Sequence, residues 1–391
     1  MSSLAIAGIS AAINPKAVQA ASPYLGQVAT RCWIPQELDK INRQFNSRSW
    51  HFARDSISTF RIAFPNWYAV GGDTDPKGIE RGPGSPAIVL ASIEYPANLF
   101  TRVMWNGAPF ASVKDGETKL SDPINLSIAK GSKFYVRFFV SCDAALPFTF
   151  GGIQNSAPGD AINFASSGLV DKTMGGLIEN NKAGFGFTPA AIIAQTQLPT
   201  VAILGDSIAY GSRDAFDDSG DVGIVARAVG PSFAYLNLAC GYDRADKFVG
   251  NHSRRVALAA YASSVVIQYG VNDLSNGRTA EQILADRSTI AGLFAGKTII
   301  ETTITPLAKS KDGFLTRSNQ SLLSETQEAN RISANAAIRG GRPGFAHFAD
   351  TSNAVEEDGL FRVPQVTPDG IHLTREGYRM AAKALDPAWV K

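Results

Sequence analysis

After Pro199 the chain alternates between short, continuously apolar runs and longer segments with helical spacing, and no other feature restricts its fold as strongly. "TVAILG" (200–205), "FAYLNLA" (233–239), "SVVIQYG" (264–270), "KTIIETTI" (297–304) and "GFAHFAD" (344–350) read as strands. Helical patterns are expected near Val222 to Ala228, through "RADKFVGNHSRRVALAAYA" (244–262), through "TAEQILADRSTIAGLFA" (279–295), from Gln320 to Ile338, and in "TREGYRMAAKAL" (374–385). In the third of these, Ile283, Ile290 and Leu293 recur at helical spacing. Strands that are apolar on both faces and alternate with helices predict a parallel sheet covered on both sides.

The carboxyl rim of such a sheet is where ligands bind, and four segments fall there. Ser207 follows the first strand in "GDSIAYG", and Gly241 follows the second in "ACG". Gly270-Val271-Asn272-Asp273 follows the third, and Asp369 to His372, "DGIH", precedes the last helix. The chemistry they suit is acyl transfer. A serine hydroxyl is a poor nucleophile until an imidazole takes its proton, and a carboxylate must orient that imidazole. His372 and Asp369, three residues apart within "TPDGIHLT", suit those two roles. The tetrahedral oxyanion needs donors fixed in advance. The backbone N–H groups of Ser207 and Gly241 and the side-chain amide of Asn272 are the candidates. Glycine at 241 would let backbone approach the substrate closely.

Taken in order, "GDSIAYG", "ACG", "GVND" and "DGIH" resemble the four blocks of the SGNH (GDSL-type) hydrolase family. The family's serine, glycine, asparagine and histidine fall on Ser207, Gly241, Asn272 and His372, and its acid on Asp369. The resemblance runs from about Pro199 to residue 391. It implies a flavodoxin-like three-layer α/β/α domain and a serine esterase that works through an acyl-enzyme without a cofactor. The implied substrates are carboxylic esters, with O-acetylated carbohydrate preferred over small acyl esters or lipids. Ala209 departs from the first block, a change expected to alter loop packing rather than chemistry.

Each residue also has a plainer reading. Ser207 alone would be a cap or turn residue, and Thr-Pro-Asp-Gly is a strong turn sequence whatever else Asp369 does. His372 alone would be a structural histidine, Asn272 a turn residue and Gly241 a strand terminator. Asp206 and Asp273 are expected to brace loops by hydrogen bonding rather than act as acids. A metal site lacks support, since no paired histidines or HxH spacing occur. An α/β-hydrolase also uses Ser, Asp and His, but Gly205-Asp206-Ser207-Ile208-Ala209 lacks the final glycine of that elbow. Two functional rivals remain. One is an acyltransferase with the same triad, and the other a non-catalytic glycan-binding or attachment protein.

The first half reads differently. From about Ser56 to Gln197, strand-like pieces such as "STFRIAF", "PAIVLASIEY", "LFTRVMW", "INLSIA" and "KFYVRFFVS" are separated by Gly, Pro, Asn and Asp. Phe134, Val136, Phe138 and Val140 alternate with Tyr135, Arg137 and Phe139, and "WNGAPF" carries an Asn-Gly hairpin signal. A jelly-roll-like β-sandwich is expected. "LSDPINLSIAKGSKFYVRFFV" resembles, more loosely, the N-terminal module of some of these esterases. The expected division is an arm or extension over 1–50, the sandwich over 51–197 and the catalytic domain over 198–391.

Bulk properties narrow the partners. With 45% hydrophobic and 18% charged residues the chain is globular, and a net charge of +2 gives no field to attract nucleic acid. No run approaches the length of a membrane span. Three cysteines far apart form no metal-ligand spacing and cannot all pair within one chain, which leaves the compartment open. The start, Leu4 to Ile13 followed by Val18-Gln19-Ala20, resembles a signal peptide. However, no basic residue precedes the apolar run, and Pro15-Lys16 separates that run from the small-residue stretch. A flexible or partner-docking arm is therefore the blander reading. Oligomeric state is not legible.

Overall fold

The computed structural model describes residues 22–71, 77–149, 159–181 and 186–391, so the signal-peptide-like segment lies outside the described residues. The parallel sheet of the second half forms from Thr200–Gly205, Ala234–Asn237, Ser264–Gln268, Thr298–Thr302 and His347–Ala349. Numbered along the chain, these strands lie side by side in the order 2-1-3-4-5, that of flavodoxin-like sheets. Side chains alternate between two cores. Val201, Ile203, Tyr235, Val266 and Ile300 face one, with Val225, Ala226 and Val229 of helix Ile224–Val229. Ala202, Leu204, Leu236, Val265 and Ile267 face the other, with Phe248, Leu258 and Ala259 of helices Ala245–Gly250 and Ser253–Ala259. Burial on both faces accounts for the unbroken apolar runs.

Two helical expectations need correction. The segment 244–262 forms two helices, broken where the His252 ring takes the Phe248 and Val249 carbonyls at 2.9 and 3.1 Å. The helix expected from Gln320 begins at Glu325, capped by Ser324. Gln320–Leu322 instead pairs antiparallel with Ala308–Ser310. Helix Ala280–Gly292 starts at a complete capping box, Thr279 with Gln282.

The first half is strand-rich and antiparallel. One sheet joins Tyr24–Gln27, Ala191–Thr196, Ile57–Pro65 and Thr118–Leu120, with Ile124–Ile128 also on Ile57–Pro65. The other joins Ala111–Val113, Ala87–Glu94, Lys133–Cys142, Gln44–Phe52 and Ala161–Ala165. Phe134, Val136, Phe138 and Val140 all face inward, as their alternation predicts. The sheets meet through rings: Phe64 lies 5.7 Å from Phe138, and Phe187 lies 5.4, 5.3 and 5.0 Å from Phe64, Phe138 and Phe45. Asn106 and Gly107 both take positive φ, 52° and 79°, between the bridged Trp105 and Ala108, the tight turn that Asn-Gly signals.

Residues 24–50 differ from an arm. Tyr24–Gln27 enters the first antiparallel sheet, and Cys32–Trp33 adds a parallel edge strand beside Ala234–Asn237. A two-residue strand carries too little periodicity to be read from sequence, so its pairing partner decides it. A buried ion cluster reinforces this seam: Arg255 holds Glu80 at 3.1 Å and Asp243 at 2.6 Å, all three fully buried. Among the described residues, no helix is long and apolar enough to cross a membrane.

Candidate active site

The nucleophile candidate is placed by a strand that ends abruptly. A Cβ on Gly205 would lie 2.3 Å from the Gln268 carbonyl oxygen, so the last residue of the strand must lack one. Asp206 then caps the short helix Ser207–Tyr210, its Oδ1 accepting the Ile208 N–H at 2.9 Å. Gly211, at φ 93°, closes that helix with its N–H on the carbonyls of Ser207 and Ile208. Ser207 is thereby held in a first helical turn at the carboxyl end of the central strand, 9% exposed.

The loop before the last helix brings the other two groups to it. His372 Nε2 lies 2.8 Å from Ser207 Oγ, and His372 Nδ1 lies 2.9 Å from Asp369 Oδ2. Asp369 Oδ1 also accepts the backbone N–H groups of Ile371 at 3.1 Å and His372 at 2.8 Å. Thr367 Oγ1 pins the same loop, donating to the His372 carbonyl at 2.6 Å and accepting from the Gly370 N–H at 2.8 Å. Gly370 takes φ 82°, and a Cβ there would sit 1.8 Å from the Ala308 carbonyl oxygen. Burial works against the charge of Asp369, but the His372 ring and the two backbone donors outweigh it and hold the carboxyl below its ordinary range. An ionised Asp369 can only accept. The shared proton therefore belongs on Nδ1, which leaves Nε2 to accept from the serine hydroxyl.

The three expected oxyanion donors fare differently. Ser207 N–H begins a helix and forms no hydrogen bond among the described residues. Asn272 sits in helix Val271–Ser275, and its Nδ2 donates to the Asp243 carbonyl at 3.1 Å, which leaves one of its two hydrogens over. The expectation for Gly241 does not hold in this geometry. Its N–H donates to Gln36 Oε1 at 2.8 Å, and Gln36 is 1% exposed, so that donor points into the fold. Gln36 was missed because nothing in Ile34-Pro35-Gln36 signals a partner some two hundred residues away.

Asp206 and Asp273 brace loops, as expected. Asp273 Oδ1 accepts the Ala245 N–H at 3.0 Å. Burial raises Asp206 to about 6 and Asp273 to about 7, the latter helped by the charge of Asp206. Cys32, Cys142 and Cys240 are free and buried, and burial lifts the Cys32 thiol to about 12, far from a reactive thiolate. Among the described residues no group of His, Cys, Asp or Glu has the arrangement to hold a metal. A cavity of about 420 Å³ is lined by Trp50, Lys133, Phe216, Asp217, Asp218 and Arg375 among others, and it includes none of the triad residues. A larger one, about 890 Å³ around Phe345, His347 and Trp389, contains none of the triad residues.

Residues 203–380 match the model of the GDSL-like Lipase/Acylhydrolase family. Among solved structures, a lipase/acylhydrolase from Enterococcus faecalis is 18% identical over 48% of this chain and 93% of its own, with a TM-score of 0.36. An acetyl xylan esterase from Geobacillus stearothermophilus is 17% identical over 48% and 92%, with a TM-score of 0.34. A salicylyl-acyltransferase from a tetracycline biosynthetic pathway is 11% identical over 87% and 79%, with a TM-score of 0.32. No curated protein matches the sequence.

Proposed function

Starting from residues 203–380 as a GDSL-like lipase/acylhydrolase domain, we propose that the chain is a serine esterase that cleaves carboxylic esters through an acyl-enzyme. The observation that carries this reading is the unbroken chain from Ser207 Oγ through His372 to Asp369, with links of 2.8 and 2.9 Å. In the proposed mechanism Ser207 Oγ attacks the ester carbonyl as His372 Nε2 takes its proton. Asp369 keeps the Nδ1 proton in place and stabilises the imidazolium. The oxyanion is held by the Ser207 N–H and the free Asn272 amide hydrogen. The imidazolium then protonates the departing alkoxide, and water, deprotonated by His372, repeats the sequence on the acyl-enzyme.

O-acetylated carbohydrate is the preferred substrate class. That preference rests on the resemblance of the motif blocks, and neither cavity described above includes a triad residue. The same reading takes 198–391 as the catalytic domain and 51–197 as a jelly-roll-like sandwich. Two facing antiparallel sheets support the second assignment.

The test is hydrolysis of a chromogenic acetyl ester by wild type and Ser207→Ala, with and without a competing alcohol. Turnover that disappears in a folded Ser207→Ala protein, with free acetate as the main product, is the expected result. Activity that survives Ser207→Ala contradicts the assignment. Acetyl transfer to the alcohol in preference to water favours the acyltransferase.

A further inference from the structure

The segment 239–243 is gripped from the other half of the chain. Gln36 uses both ends of its carboxamide on it: Oε1 accepts the Gly241 N–H at 2.8 Å and Nε2 donates to the Ala239 carbonyl at 3.1 Å. Gln36 is itself anchored by backbone bonds, its N–H on the Phe148 carbonyl at 2.9 Å and its carbonyl on the Gly71 N–H at 3.0 Å. Next along, the Asp243 N–H turns back onto the Cys240 carbonyl at 3.2 Å, closing a β-turn with Gly241 and Tyr242 at its centre.

In that turn the N–H groups of 241 and 243 are both consumed inside the fold. The one between them belongs to Tyr242, and it forms no hydrogen bond among the described residues. Tyr242 takes φ 62°, a conformation unfavourable to a residue with a side chain, and is 41% exposed. Such backbone persists where its surroundings enforce it, and it clusters at functional sites. Gln36 holds the preceding residue, Gly241, and Lys77 Nζ stands 4.4 Å from the Tyr242 ring centre. Asn272, the side-chain donor of the proposed oxyanion site, bonds the carbonyl of Asp243, the next residue. Asn272 thus holds the turn at the residue that directly follows Tyr242.

We propose that the Tyr242 N–H, not that of Gly241, is the second backbone donor to the oxyanion, and that Gln36 is the positioning residue that turns it toward the cleft. This rests on the serine-esterase reading. It makes the N-terminal half part of the catalytic apparatus, because the residue that sets the donor lies outside residues 203–380.

Two measurements on the full chain test it. Gln36→Met removes both bonds at similar volume. The expected result is a kcat for acetyl ester lower by about 10²-fold with KM within about threefold of wild type, the signature of a misplaced transition-state donor. An unchanged kcat in a folded variant, or a matched fall in kcat and thermal stability, overturns the positioning role. The second measurement needs no variant at 36. Labelling glycine carbonyl carbon and tyrosine nitrogen together selects Tyr242 and Tyr378, the two Gly-Tyr pairs, and Tyr242→Phe tells them apart. Labelled cysteine carbonyl with glycine nitrogen selects Gly241 alone. When a fluorophosphonate forms a tetrahedral adduct on Ser207, the Tyr242 amide proton should move downfield while that of Gly241 stays. The reverse pattern overturns the proposal. A wild type that neither turns over esters nor takes up the phosphonate refutes the esterase reading itself, a result distinct from either of these.

Discussion

Asp273→Asn should gain stability relative to wild type as pH rises from about 4 to about 7, and should keep that gain at higher pH. Asp273 is completely buried; Oδ1 has the Ala245 N–H, and Oδ2 has no hydrogen-bond partner among the described residues. Burial, with the nearby Asp206 charge adding to it, raises its pKa from 3.8 to about 7. The folded state therefore binds this proton more tightly than the unfolded chain does. The stability from the protonated form is complete below about pH 3.8 and declines until the pH passes about 7. The steepest decline is about 1.36 kcal/mol per pH unit, so the gap caps the loss at about 4 kcal/mol. Asparagine keeps the acceptor for Ala245 and cannot ionise, at a cost of about 1–3 kcal/mol for its buried amide donor. Urea unfolding of both proteins between about pH 4 and about pH 8 would read the difference by linear extrapolation. The variant should start level with or below wild type and gain steadily. Parallel curves, or a variant that falls further behind as pH rises, would refute the argument from burial.

The geometry leads to two more outcomes. Asp369→Asn offers the imidazole a donor where it needs an acceptor, favours the wrong tautomer and should lower kcat by about 10⁴-fold with the fold intact; steady-state kinetics with circular dichroism check this. Phe187→Ala removes a ring that touches Phe45, Phe64 and Phe138 across both antiparallel sheets, and should cost about 3–5 kcal/mol in denaturant unfolding. A loss below about 1 kcal/mol would mean that the sheets do not share that core.

Where the sequence was informative, short-range chemistry decided the structure. The runs at 200–205, 264–268 and 298–302 carry consecutive apolar residues, Val201 to Leu204, Val265 to Ile267, and Ile299 with Ile300, because both faces of each strand are covered, and that signal survives without knowledge of neighbours. The Ser207, His372 and Asp369 motifs were readable because each sits in a turn fixed by its own glycine or cap: Asp206 and Gly211, or Thr367 and Gly370. What escaped was long-range. Cys32–Trp33 is a strand because Leu236 and Asn237 lie beside it, and Gln36 matters because Ala239 and Gly241 face it. Gly241 drew attention as the glycine, yet Tyr242 carries the left-handed conformation, which a residue type alone would not suggest. The break at Asn251 and His252 likewise depends on a ring folding back onto the helix before it.

The most direct test of the account is to trap its intermediate. Wild-type protein is mixed with an activated acetyl ester, quenched in acid within the first turnover, and digested for peptide mass mapping. The account predicts one added acetyl group on the peptide containing Ser207, absent in Ser207→Ala and accumulating far more slowly in Asp369→Asn. Ester turnover with no acetyl on Ser207, or with acetyl on another residue, would contradict it.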